Sequence, residues 1–415
     1  LKGFWHYPIT SQKIQLNKLM LKQTQKNAIS LSQDLIRIPS FSGKNDEVIK
    51  FLSDYLTDLG FSCEILEYDG DGSYKVNNLH AVFNPNNADK ILYFAGHTDV
   101  VAAGKIESWT YDPFSAIIVD NKLYGRGTVD MKCAIACFMS AVSKFLSQNN
   151  QPNFGIGFLI TNDEEADSVN GTKKVLKWME ENNKKITHAI VGEPTNPENF
   201  GEMIKIGRRG SINFSIKITG KQGHAAYPEN AVNPTTILIG LLKLLKDHKF
   251  DNGNEFFSPT NLEVTAISSQ NLGNNVIPNE ASANFNIRFN DFHNINSIIE
   301  IVEYACKKSA EGFGAKYDLS YKASGDSFLS KPAFLAKIVV DAIKKTCNKT
   351  PVLSTSGGTS DARFIKDYAE VVELGLINKT AHQIDEFANI DDILKLEETY
   401  FEILNKFSLI YGILR

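Results

Sequence analysis

Residues 154–194 read FGIGFLITNDEEADSVNGTKKVLKWMEENNKKITHAIVGEP, and this stretch decides the fold. A short continuous apolar run at 154–160 opens it and another at 186–191 closes it, with a helical pattern at 172–181 between them. Apolar strands that alternate with helices belong to a sheet buried on both faces. The same rhythm extends upstream. Asn45 can cap a helix, Asp46 and Glu47 suit its positive end, and Val48, Ile49, Leu52, Tyr55, Leu56 and Leu59 fall on one face before Gly60 stops it. Strands at 80–83 and 91–95 and a helix at 131–146 follow, so this part of the chain reads as an α/β domain.

After Arg209 the pattern changes. Residues 211–219 alternate as a strand, 234–245 read as a helix, 262–267 and 281–289 as strands, 295–308 as a helix and 317–321 as a strand. That β-α-β-β-α-β order is the split arrangement of a ferredoxin-like unit. The α/β character resumes with a helix at 332–345, a strand near 370–374 and a terminal helix from Asp391. The expected organisation is an α/β domain at 28–209 and 323–415, interrupted by an inserted α+β domain at 210–322. Residues 1–27, lysine-rich and without an acid, form an N-terminal extension of no assigned role, or sequence upstream of a start near Met20.

Composition narrows the possibilities. The 415 residues suit two or three domains, and 44 basic against 48 acidic side chains leave no surplus for a nucleic-acid backbone. No apolar stretch approaches the length of a transmembrane helix, so no membrane partner is expected. The five cysteines form no CxxC pair, which supports neither a disulfide framework nor a thiolate zinc knuckle and points to a reducing compartment, the cytoplasm. Only seven basic residues are arginine: Arg37, Arg126, Arg208, Arg209, Arg288, Arg363 and Arg415. In so lysine-biased a chain an arginine marks a place where a planar guanidinium is needed.

The residues with chemistry cluster at the ends of the apolar strands. His97 and Asp99 follow the strand at 91–95, where an aspartate can hold one imidazole nitrogen while the other binds a metal. Alone, such a histidine is more often structural. Asp130, in Gly125-Arg-Gly-Thr-Val-Asp130-Met-Lys, is either a helix cap or a carboxylate able to bridge two ions. Asp163-Glu164-Glu165 and the isolated Glu193 lie just beyond two buried strands, where open α/β sheets bind ligands. His382 adds a second imidazole. Carboxylates and imidazoles without thiolate suit a pair of zinc ions, and paired glutamates let one ligate while its neighbour stays free as a base.

Taken together, Gly96-His-Thr-Asp, Gly125-Arg-Gly-x-x-Asp-Met-Lys, Asp163-Glu-Glu, Gly192-Glu-Pro and Gly223-His-Ala-Ala-Tyr-Pro resemble the dinuclear zinc amidohydrolases related to aminoacylases. Ser356-Gly-Gly-Thr-Ser-Asp-Ala-Arg363 and Glu373-Leu-Gly with His382-Gln narrow the resemblance to members that hydrolyse a succinyl amide of a diamino diacid in lysine biosynthesis. The resemblance implies a zinc-peptidase-like α/β catalytic domain with an inserted ferredoxin-like dimerisation domain. It implies two Zn2+ per subunit, with Co2+ possible in one position: His97 and Glu193 on one ion, Glu165 and His382 on the other, and Asp130 bridging. Glu164 would be the general base and Asp99 would orient His97. In a homodimer His224 would reach the neighbouring subunit's site to stabilise the oxyanion, and Tyr227 would contact substrate there. Arg208 and Arg288, with Asn274, Asn275, Thr359, Ser360 and Asn378, would bind a small polycarboxylate substrate, since arginine clamps carboxylates bidentately. Arg126 and Arg363 read rather as structural ion pairs. Leu376 stands where the family often has proline. A related deacylase or dipeptidase is the nearest alternative, and a metal-binding scaffold without activity a more distant one. No Gly-x-Ser-x-Gly elbow and no Gly-rich phosphate loop supports a serine hydrolase or a nucleotide enzyme.

Overall fold

The computed structural model describes residues 26–44, 47–269, 273–330 and 334–413. Asn45, Asp46 and the proposed N-terminal extension through residue 25 lie outside the described residues, as does the start of the helix expected from 332. The chain divides into two compact units. One runs through Ile206 and takes in Ser330–Leu353 and the chain from Phe364; the other is Gly207–Leu329 with Ser354–Arg363. The segment 354–363, assigned from the sequence to the larger domain, therefore packs with the smaller unit.

The larger unit is built on an eight-stranded sheet in the order Ser62–Gly70, Ser73–Phe83, Gly155–Thr161, Ile91–His97, His188–Val191, Glu370–Glu373, Met203–Lys205 and Val352–Ser354. The four strands from Gly155–Thr161 to Glu370–Glu373 are parallel. Every residue of Ile91–His97 and Gly155–Thr161 is buried, which is why both read as continuous apolar runs. Successive side chains face opposite ways. Phe94 packs on Phe138 and Tyr400, from the helices Cys133–Gln148 and Ile390–Ile413. Tyr93 hydrogen-bonds His80, which in turn meets Trp178 of the helix Thr172–Glu181 edge-on. Helices thus cover both faces.

Two differences from the sequence reading have physical causes. The strand at 80–83 is the end of a longer strand, Ser73–Phe83, paired antiparallel with Ser62–Gly70. The partner strand is half exposed and carries Glu64, Glu67 and Asp69, so no apolar run announces it. The helix expected from 131 begins at Cys133, because Asp130 and Met131 have non-helical dihedrals in the wide turn Thr128–Lys132. Asp130 is thereby freed from the helix it was a candidate to cap.

The smaller unit carries an antiparallel sheet in the order Asn261–Ser269, Glu280–Phe289, Gly210–Thr219 and Lys316–Gly325, with helices Pro234–Asp247 and Ile295–Ala310. This is the ferredoxin-like order anticipated from the pattern. Ile212, Phe214, Ile216 and Ile218 face a core shared with Leu238, Leu241, Phe285, Ile298 and Val302, while Asn213, Ser215 and Lys217 face outward. Each such side chain removed fully from water contributes about 1.5–3 kcal/mol. Among the described residues no helix is long and apolar enough to cross a membrane, and all five cysteines are unpaired.

Candidate metal centre

The parallel strands set the place of the site. From Ile91–His97 the chain crosses to Gly155–Thr161 on one side, then returns to His188–Val191 on the other. The carboxyl ends diverge at that reversal, which is where open α/β sheets leave a crevice. His97 ends the first strand, Glu164 and Glu165 follow the second, and Glu193 follows the third. Asp130 comes from the wide turn, and His382 from the loop after Asn378–Thr380.

These six side chains converge within the larger unit. His97 Nε2 lies 3.1 Å from Asp130 Oδ1 and 3.7 Å from Glu193 Oε1. His382 Nε2 lies 3.3 Å from Asp130 Oδ2 and 2.9 Å from Glu165 Oε1. Metal–ligand distances of about 2.0 Å at tetrahedral angles put neighbouring ligand atoms about 3.3 Å apart. The two clusters match that spacing, and Asp130 offers a different oxygen to each. His97, Glu164 and Glu193 form a second group whose ligand atoms all lie within 4.8 Å of one another.

The electrostatics call for added positive charge. Burial, then the neighbouring Asp130 and Glu164 carboxylates, push the Glu193 carboxyl well above its ordinary value. Hydrogen bonds donated to the Asp130 and Glu165 carboxylates raise the His382 imidazole to about 10. His97 is raised despite its burial, which opposes the charge, because Asp130, Glu193 and Asp99 surround it. Asp130 is held low against its own burial by the two imidazoles. Four carboxylates are thus crowded where only protons or cations can offset them, and the imidazole and carboxylate donors suit divalent ions.

Asp99 holds more than the imidazole. Its main-chain oxygen, not its carboxylate, makes the short contact to His97 Nδ1 at 2.9 Å; the nearest carboxylate oxygen is 3.7 Å away. The carboxylate instead accepts the backbone N–H of Glu164 at 3.1 Å and of Glu165 at 2.9 Å, and the Ser42 hydroxyl at 2.7 Å. One residue therefore fixes both glutamates and the histidine. Asp163 ties down the far side of the same loop, accepting from the backbone of Ser168, Val169 and Asn170 and from the Tyr74 hydroxyl.

The smaller unit gathers a different constellation. Burial, then the charges of Arg209 and Arg208, pull the Arg288 guanidinium below its ordinary value. Its Nε donates to Asn286, while its Nη1 is buried without a hydrogen-bond partner among the described residues. Arg208 donates to the carbonyl oxygens of Gly358 and Ser356, beside Thr359 and the buried Ser360. His224, on a two-residue strand paired with Val276–Ile277, is exposed. It lies 3.4 Å from Asn275 and 5.6 Å, ring to ring, from the exposed Tyr227, with Asn274 adjacent and exposed. Asn378 belongs to the larger unit, where its backbone N–H bonds the Asn196 carbonyl. Leu376 is buried just before it, an apolar replacement that leaves the loop's hydrogen bonds to Asn196 in place.

Arg126 pairs with Glu386 at 2.6 Å, the ion pair expected of it. Sequence reasoning gave Glu386, Ser42 and Tyr74 no role; each acts through contacts with residues distant in the chain, for which no local motif exists. His80 bridges Glu64 and Tyr93, and His188 packs on Phe334 and Phe407, so both are structural.

A sequence profile of peptidase family M20/M25/M40 matches residues 93–406, and the chain belongs to that family. It is 48% identical over 380 residues to the succinyl-diaminopimelate desuccinylase of Ehrlichia canis (strain Jake), covering 91% of this chain and 98% of the relative. It is 47% identical to the enzyme of that name from Pelagibacter ubique (strain HTCC1062), covering 92% and 99%. Among solved structures, an M20-family metallo-carboxypeptidase from Sulfolobus solfataricus superposes with a TM-score of 0.77 at 18% identity, over 92% of this chain and all of that one.

Proposed function

We propose that the protein hydrolyses the succinyl amide of N-succinyl-L,L-diaminopimelate to succinate and L,L-diaminopimelate, in the cytoplasm, as a step of lysine and diaminopimelate biosynthesis. The observation that carries this reading is Asp130, with one carboxylate oxygen toward His97 and the other toward His382. His97 and Glu193 would hold one ion, Glu165 and His382 the other, and Asp130 both. The donor set suits zinc, with cobalt possible in one position. When bound, the ions supply Lewis acidity toward the amide carbonyl and make a water acidic enough to attack at neutral pH.

The chain's own residues supply the rest. Glu164, the neighbour of Glu165 in the same loop, takes the proton of the attacking water and passes it to the departing amine. Asp99 keeps Glu164 in place through its backbone N–H. Arg208 and Arg288, with Asn274, Asn275, Thr359, Ser360 and Asn378, receive the substrate's carboxylates. Arg288 Nη1, buried without a partner among the described residues, gains a hydrogen bond when an anion arrives. In a homodimer formed through the ferredoxin-like unit, His224 donates to the developing oxyanion in the neighbouring subunit's site and Tyr227 contacts substrate there. One such donor is worth about 3–4 kcal/mol.

Purified, zinc-loaded protein assayed on N-succinyl-L,L-diaminopimelate, with N-acetylornithine alongside, tests the proposal. Cleavage of the first and little of the second is the expected result. Cleavage of the second alone would keep the hydrolytic chemistry and overturn the assignment of the arginines. No cleavage of either by protein holding two ions would leave a scaffold that binds metal. The subunit exchange has its own test. His224→Ala is expected to lose at least about a hundredfold in kcat, and mixing it with an inactive Glu164→Gln protein should restore activity in the heterodimers. Failure of mixed subunits to regain turnover would place His224 in its own subunit's site or outside the chemistry.

A further inference from the structure

The Arg126–Glu386 pair does more than join two segments 260 residues apart. Both side chains are buried, Glu386 completely. The Glu386 carboxylate accepts the backbone N–H of Gly127 at 3.2 Å, of Val129 at 2.8 Å and of Asp130 at 3.4 Å. One carboxylate thus collects the main chain of the loop that presents Asp130. That loop turns at Gly127, whose φ is +84° and where a Cβ would stand 2.7 Å from the Val100 side chain, so only glycine fits.

Arg126 works in the opposite direction. Its Nη1 donates to the Gln383 carbonyl at 3.1 Å and its Nη2 to the His382 carbonyl at 3.4 Å. His382 and Asp385 both have left-handed backbones, with φ of 63° and 56°, a region that residues other than glycine seldom enter. Asp385 is anchored by Thr110, whose N–H and hydroxyl reach its two oxygens at 2.7 and 2.8 Å. The guanidinium therefore pins the loop bearing His382, while the carboxylate pins the loop bearing Asp130. These are the two residues whose side chains stand 3.3 Å apart between the paired clusters.

We propose that Arg126 and Glu386 are positioning residues that set the distance between Asp130 and His382, and with it the affinity of the ion held by Glu165 and His382. This rests on the two-ion reading given above. Both ions share Asp130, but the other ion keeps His97 and Glu193, which neither Arg126 nor Glu386 touches, whereas the ion at His382 has the setting of both Asp130 and His382 disturbed, so the two positions should respond unequally. A pair serving only the stability of the fold would affect them alike.

Metal titration distinguishes these cases. Metal-free wild type and Glu386→Gln are titrated with Co2+, followed by visible absorption, and with Zn2+ by calorimetry. Wild type is expected to take up two ions; fewer than two would sink the dinuclear reading itself, independently of the pair. Given two, Glu386→Gln should weaken the second ion about 10–100-fold, the usual penalty for losing a partner of a metal ligand, and the first, which shares only Asp130, by a clearly smaller factor. Arg126→Lys, which keeps the charge but not the forked contact to both carbonyls, should weaken the second ion likewise. Unchanged binding of both ions, equal weakening of both, or unfolding of both metal-free variants would overturn the proposal.

Discussion

Glu164→Gln should retain both ions and lose about 10²–10⁴-fold in kcat, the usual worth of a positioned general base. Glutamine has the shape of glutamate but cannot take a proton from water. The loop is held through the main chain, by Asp99 on the Glu164 and Glu165 N–H groups and by Asp163 on residues 168–170, so the substitution leaves its path intact. Zinc content per chain and steady-state kinetics on the same preparation make the test. Near-normal turnover with full metal loading would remove Glu164 from the proton path, and loss of metal along with turnover would make it a ligand.

Asp130→Ala should have the larger effect on metal content. Each cluster would lose one oxygen at once, from 3.1 Å beside His97 and from 3.3 Å beside His382. The expected result is fewer than one ion per chain at concentrations that saturate wild type, with kcat/KM down by at least about a thousandfold, because Lewis-acid assistance is worth several kcal/mol. Glu165→Ala is the companion variant and should weaken one position only. If Asp130→Ala still binds two ions tightly, the carboxylate does not bridge.

What the sequence could and could not reveal follows from the range of the forces involved. Strands buried on both faces and amphipathic helices leave local signatures, so Ile91–His97, Gly155–Thr161 and Gly210–Thr219 were legible within a residue or two. The strand Ser62–Gly70 was not, since one exposed face lets charged residues break its pattern. The convergence of His97, Asp130, Glu164, Glu165, Glu193 and His382 was anticipated because each sits at or beyond a strand end or in a loop beside one. Contacts that depend on the closed fold stayed hidden. Neither the turn of the Asp99 carboxylate toward two backbone amides nor the burial of Glu386 follows from any local spacing. The unit boundary at 354–363 was missed for the same reason: which body a loop packs on is a tertiary property.

The helix Ile390–Ile413 gives the protein a particular order of assembly. Its Tyr400 lies against Phe94 and Phe138, and its hydroxyl bonds the Leu374 carbonyl at 2.5 Å. The helix Cys133–Gln148, buried along nearly its whole length, thus waits for a cover encoded some 250 residues later. On the ribosome the strands up to His188–Val191 can gather early, but their apolar flank stays open until the helix Ile390–Ile413 emerges. His382 likewise arrives after every other member of the metal cluster. The nascent chain therefore carries exposed apolar surface of the aggregation-prone kind until that helix emerges, and a ribosome stalled before residue 380 displays an incomplete core lacking one imidazole of its site.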